Sequence, residues 1–142
     1  MFPARSASIS VLIGGVYLDI PGLQTWKLNV QNEEETIFTI GQITGSVIPF
    51  ANTVSVEATG HLVWDGSNIH SLQRYVIFSA RTFRRDNLRL RLLNPSTGLE
   101  IGAILGEGYF RLTGTGGAAN AKSDFGFIFT FDGPPSHFGA FA

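Results

Sequence analysis

Between Asp124 and Phe131 the chain reads Asp-Phe-Gly-Phe-Ile-Phe-Thr-Phe, with a phenylalanine at every second position. Only an extended backbone gathers Phe125, Phe127, Phe129 and Phe131 on one face, because successive side chains of a strand point to opposite sides of a sheet. A helix would scatter the four rings. The stretch therefore predicts a strand with its Phe side covered by core. Its other side, Gly126, Ile128 and Thr130, is small and half-apolar and suits a surface lying flat against something else.

The 142 residues suffice for one domain, 1–142, with a Pro- and Phe-containing tail over 133–142. Charged residues are 15% of the chain, below the usual quarter or so, while Gly (17) and Phe (12) are abundant. So little charge predicts a surface partly covered by partners. There is no Cys, which removes disulfide, thiolate and Cys-zinc chemistry. A formal net charge of -1 argues against nucleic-acid binding through a general positive field. No apolar run reaches about 18 residues, and Met-Phe-Pro-Ala-Arg lacks the apolar core of a signal peptide. The expectation is an intracellularly made protein without a membrane anchor.

Ser8 to Ile20 predicts a hairpin: Ile9, Val11 and Ile13 alternate up to Gly14-Gly15, then Val16, Leu18 and Ile20 alternate away. Thr25 to Gln31 is a second strand with Trp26, Leu28 and Val30 on one face. Asn32-Glu33-Glu34-Glu35 breaks its pattern and reads as a solvated turn. Thr36 to Ile43 allows a strand, but Gly41, Gly45 and Pro49 predict an irregular contact loop from Gly41 to Asn52. Val54 to Trp64 alternates for its whole length. Asp65-Gly66-Ser67-Asn68 predicts a turn and a helix start capped by Ser67 or Asn68. Ile69, Leu72, Tyr75, Val76 and Ser79 then fit one amphipathic helix of about three turns. Leu88, Leu90 and Leu92 alternate with Arg89 and Arg91. After the Asn94–Gly98 turn an extended stretch runs from Leu99 to Leu112, its glycines predicting curvature. Thr113 to Lys122 reads as a loop. The aromatics of the tail either pack on their own domain or form an arm for a neighbour.

Catalytic and metal signals are weak. His61, Asp65, Ser67 and His70 cluster around one turn, yet nothing in their spacing demands a nucleophile–base pair. Capping and strand roles explain them better, and no enzyme or cofactor is expected. His61, His70 and His137 match no metal-ligand spacing. Gly114-Thr115-Gly116-Gly117 lacks the Lys-Ser/Thr and helix of a phosphate loop. Charge asymmetry says more: Arg74, Arg81, Arg84, Arg85, Arg89 and Arg91 crowd one window, and Glu33, Glu34 and Glu35 offer an acidic counterpart in the same chain.

The order of these pieces resembles the tail-tube proteins of contractile-tailed bacteriophages, a class similar to the inner tubes of type VI secretion systems and R-type bacteriocins. The resemblance spans Ser8 to Gly133. It rests on Trp26-Lys27-Leu28-Asn29-Val30, the loop through Gly41-Gln42-Ile43-Thr44-Gly45, and the long strand Val54–Gly60. It continues with the helix from Asn68, the Leu88–Leu92 strand, Gly106-Glu107-Gly108-Tyr109-Phe110 and the aromatic strand ending Phe131-Asp132-Gly133. The tail after Pro135 departs from it.

The resemblance implies an antiparallel β-sandwich or small barrel with one short flanking α-helix. It also implies hexameric rings stacked into a hollow tube inside a sheath, through which DNA passes without specific binding. Partners would be the chain itself, the tail sheath, the baseplate and tail-terminator proteins, with assembly in the host cytoplasm and residence in the virion tail. The loop over about Asn32–Asn52 would reach the next ring. Head-to-tail assembly needs two different patches, and the expected subunit-interface residues are Glu33, Glu34, Glu35, Gly41, Gly45, Arg81, Arg84, Arg85, Arg89, Arg91 and Ile128. Two other readings stay open: another virion module, such as a capsid decoration or tail terminator, and a carbohydrate-binding β-sandwich using Trp64 or Trp26.

Overall fold

The computed structural model describes residues 2–3, 7–37, 46–116 and 124–139. In chain order these form β1 (Phe2–Pro3), β2 (Ala7–Ile13), β3 (Val16–Asp19), β4 (Leu23–Ile37), β5 (Ser46–His61), β6 (Trp64–Asp65) and β7 (Asn68–Ile69). The helix α1 (Ser71–Thr82), β8 (Arg85–Leu93), β9 (Glu100–Gly116), β10 (Asp124–Phe131) and β11 (Ser136–Gly139) follow. The fold is mainly β, with one helix, as the alternation predicts. One antiparallel sheet runs β1-β4-β5-β10-β9-β8-β2-β3, β11 adds to β9, and β6–β7 is a separate ribbon.

The Phe strand lies at the centre of this order and makes the core. Phe125, Phe127, Phe129 and Phe131 are all buried, and Phe110 of β9 packs edge-on to two of them, with ring centroids 5.2 Å from Phe127 and 4.9 Å from Phe129. Ile9 and Val11 of β2 share one buried cluster with Val56 and Ala58 of β5, although three strands separate β2 from β5 in the sheet. The sheet must therefore curl around a common interior. It does not close: a cleft of about 290 Å³, lined by Ala7, Ile9, Ile20, Leu23 and Trp26, separates β2 and β3 from β4.

The predicted hairpin is present, with Gly14 and Gly15 at φ 60° and 82° as a two-residue turn requires. The helix has the expected length but starts later than expected. Asn68 and Ile69 pair with Asp65 and Trp64, and His70 takes the cap, its Nδ1 accepting the Leu72 N–H at 3.2 Å. Gln73 fastens α1 to the body. Its amide nitrogen donates to the Pro21 and His61 carbonyls at 3.0 and 2.9 Å, and its oxygen accepts the Val63 N–H at 2.7 Å. The His61 N–H in turn donates to the Gly22 carbonyl at 2.9 Å. That crossing leaves no room for a side chain: a Cβ on Gly60 would sit 1.9 Å from the Gly22 oxygen.

The largest correction falls on the segment read as an irregular loop. Glu33–Ile37 pairs with Ser46–Ala51 in one continuous ladder, so the described parts of Asn32–Asn52 are the arms of a β-hairpin. The acidic run is strand backbone and not a turn. Pro49 is accommodated because the register shifts between Glu33 and Glu34, and because β10 pairs β5 only from Ser55 to His61, so this part of β5 has one free edge. Alternation was unreadable here for a physical reason. Beyond Ser55 the ladder continues as two strands among the described residues. β9 is likewise longer than expected, reaching Gly116 through part of the predicted loop.

The tail pairs with its own domain. Ser136–Gly139 adds to β9 at Leu105–Gly102, on the edge that β10 occupies further along.

Candidate subunit-interface surfaces

Four strands, β4, β5, β10 and β9, make a blade with one face on the core and one turned away. Paired residues share a face, so register reads the outer side in rows. Lys27, Glu57, Ile128 and Arg111 form one row, and Asn29, Ser55, Thr130 and Tyr109 the next. Ile128 is half-buried there among polar and charged neighbours. The outer face is hydrophilic, with charges of both signs.

The blade is open on both sides. β1 covers β4 only at Thr25 and Trp26, leaving Lys27–Ile37 without a partner on that edge among the described residues. β8 begins pairing with β9 at Tyr109, leaving the edge of Phe110–Gly116 without a partner strand among the described residues. Because each pairing is antiparallel, these two outermost strands run in opposite directions. From the blade the β4–β5 hairpin continues past Asn29 and Ser55. Its eight residues from Val30 to Ile37 span on the order of 26 Å.

No protein-family model matches the chain, and no curated protein matches its sequence. Solved structures do. A chain in the tail of the empty gene transfer agent particle, refined with C6 symmetry, aligns over 99% of this chain and 100% of its own, with a TM-score of 0.61 at 16% identity. The SPP1 tail tube aligns over 97% of this chain and 79% of its own, with a TM-score of 0.62 at 12% identity. A chain of an extracellular contractile injection system, in its sheath–tube complex, aligns over 99% and 93%, with a TM-score of 0.63 at 11% identity. This chain has the tail-tube fold.

Within the tail-tube fold the arginine window divides among different surfaces. Arg85 is engaged at home, pairing with Glu107 at 2.7 Å and Asp132 at 2.5 Å. Arg89 and Arg91 lie on the outer side of β8, opposite Ser10 and Ser8 of β2. There Arg89 stacks on Tyr17 at 4.5 Å, and Asp19 accepts hydrogen bonds from the Ser8 and Ser10 hydroxyls. Burial pushes the Asp19 carboxyl up, but the hydrogen bonds from Ser10 and Ser8 and the charges of Arg91 and Arg89 outweigh it and hold the group below the usual carboxylate range. Arg84 stacks on Tyr75 at 5.1 Å, and Arg81 has no ion-pair partner among the described residues. The window is contiguous in sequence and discontinuous in space because a helix end and a strand lie on either side of Phe83.

Gly41 and Gly45 lie outside the described residues, and for Glu33, Glu34 and Glu35 the structure gives the backbone pairing alone. At the turn weighed for catalysis and assigned to capping, the cap is His70 rather than Ser67 or Asn68; Ser67 is in the exposed β6–β7 turn, and His61 Nδ1 lies 3.8 Å from Asp124. Among the described residues no three His, Cys, Asp or Glu side chains gather to hold a metal. Trp26 is core, 4% exposed, and only Trp64 stands in solvent.

Two features of the tail-tube fold escaped the sequence. Tyr75 donates to the buried Asp86 across the α1–β8 connection, and burial, followed by this hydrogen bond, raises its pKa above the ordinary tyrosine value. Phe83 ends α1 in the left-handed region and is 81% exposed. An aromatic followed by two arginines carries no signal for either.

Proposed function

We propose that the chain is a structural tail-tube subunit, forming hexameric rings that stack into a hollow tube conducting DNA into a host cell. The observation that carries this reading is the open blade: two unpaired, oppositely directed edges on one sheet, in a chain with the tail-tube fold. A free edge is a template for pairing, and unprotected edges aggregate. Adding the β4 edge of one copy to the β9 edge of the next continues the antiparallel order, and repetition around a closed ring pairs the β9 edge of every copy.

The hydrophilic outer face of the blade then turns to the lumen, where rows such as Lys27, Glu57 and Arg111 give DNA mixed charge and hydroxyls without a continuous positive track. The curl of the sheet turns the outer sides of β8 and β2 the opposite way, toward a surrounding sheath, with Arg89 and Arg91 among the outward groups. The β4–β5 hairpin is long enough to reach a neighbouring copy. Baseplate and terminator proteins would close the two ends of the stack, and the assembly, formed in host cytoplasm, would reside in the virion tail.

Negative-stain imaging of the purified protein tests this directly. Tubes of uniform width are expected. Single rings that never stack would favour a tail-terminator role, and a monomer at high concentration would refute assembly.

A further inference from the structure

A hollow of about 350 Å³ straddles the free edge of β9. It is lined on one side by Tyr109, Arg111 and Thr130 of the outer face, on the other by Phe110 and Leu112 of the core face, and closed by the end of α1. Among the described residues no strand lies alongside β9 there. The wall that α1 supplies includes Arg81 and Phe83.

Phe83 is conformationally costly where it stands. At φ 53° and ψ 38° it occupies the helix-terminating position that glycine usually takes, since a Cβ is disfavoured there. Its ring gains little in return, being 81% exposed, and Tyr109, which lines the same hollow, is 40% exposed. Arg81 and Arg111 flank the same hollow without an ion-pair partner among the described residues. A strained backbone, bare aromatics and unanswered cations together describe half of a contact.

We infer that this α1–β9 corner receives the acidic arm of a second copy, Glu33–Ile37 of β4, the positive charge of Arg81 and Arg111 matching the negative charge of that segment and Phe83 covering the added strand. The inference rests on the tube reading and specifies one of its contacts. Its geometry comes from the two free edges. The β9 edge, Phe110–Gly116, is seven residues long, and the antiparallel β4 edge runs from Lys27 to Ile37. Every register that pairs all seven puts a residue between Glu33 and Ile37 opposite Phe110. With Gly116 against Lys27 that residue is Glu33, and longer shifts bring Glu34, Glu35, Thr36 or Ile37. The chain's only run of three carboxylates thus arrives beside Arg81 whichever of the acidic registers holds.

The test uses the full chain and the critical concentration for tube formation, read by sedimentation and electron microscopy. Phe83→Gly relieves the backbone, so the unassembled subunit should melt no lower than wild type, while the critical concentration rises about tenfold. Arg81→Glu should raise it similarly. Adding Glu34→Arg, or Glu33→Arg with Glu35→Arg, should restore assembly in one of the two combinations. If wild type makes tubes and Phe83→Gly makes them equally well, the corner is not the contact and the tube reading survives. If Arg81→Glu weakens assembly and neither reversal rescues it, the acidic arm is not its partner. If wild type makes no tubes, the tube reading itself fails.

Discussion

Phe129 shows how one ring serves two strands at once. It is fully buried, paired in register with Phe110 of β9 and Val56 of β5, and its ring meets Phe110 and Phe131 at 4.9 and 5.1 Å in near-perpendicular contacts. Such geometry sets the positive ring edge against a negative face and adds to area burial. Phe129→Ala should cost the unassembled subunit about 3–5 kcal/mol, the range for emptying a well-packed Phe site, as measured by urea denaturation. Its neighbour on the opposite face behaves otherwise. Ile128 stands between Glu57 and Arg111 across the ladder, so a carboxylate placed there meets repulsion on one side and attraction on the other. Ile128→Asp should change subunit stability by no more than about 1 kcal/mol. If the outer face lines a lumen or meets a neighbour, the same variant should form shorter or fewer tubes in micrographs.

At the level of elements, α1 is held by hydrogen bonds as much as by its apolar stripe. Gln73 is fully buried and answers two carbonyls and one N–H at the junction of the Pro21–Gly22 turn with the end of β5. Gln73→Ala would leave those backbone groups buried without partners and should cost about 2–4 kcal/mol, visible as a lowered urea midpoint with an unchanged slope. How much of each element the sequence revealed depended on whether one face met a core. The Phe strand, the Ile9–Val11 hairpin and the Leu88–Leu92 strand alternate because the core enforces it; the bounds of the Phe strand are legible, whereas β8 begins three residues before Leu88, at Arg85. The hairpin arms at Glu33–Ile37 and Ser46–Ala51 pair only with each other among the described residues, and polar, acidic and proline residues stand there without a readable period. Gln73 was missed for a related reason: a polar residue on the buried side of a helix interrupts the stripe that announces it. In the same way the arginine window read as one patch, since sequence proximity conceals that Arg85 is neutralised by Glu107 and Asp132 while Arg81 is not.

The described chain is a sheet that curls without closing, with an apolar side and a hydrophilic side. The core face carries the phenylalanines, and the outer face of the blade carries Lys27, Glu57, Arg111 and hydroxyls. The low proportion of charge fits the proposed assembly, in which edges and corners that a lone domain would protect are covered by other copies. The acidic and basic segments singled out from sequence remain the proposed partners, now narrowed to Glu33–Glu35 against the α1–β9 corner. A cryo-EM reconstruction of the assembled protein tests the account most directly. It predicts a hollow tube of hexameric rings in which the β4 edge of each copy is hydrogen-bonded to the β9 edge of the next. An assembly in which Lys27–Ile37 and Phe110–Gly116 remain unpaired with a neighbouring copy would contradict it.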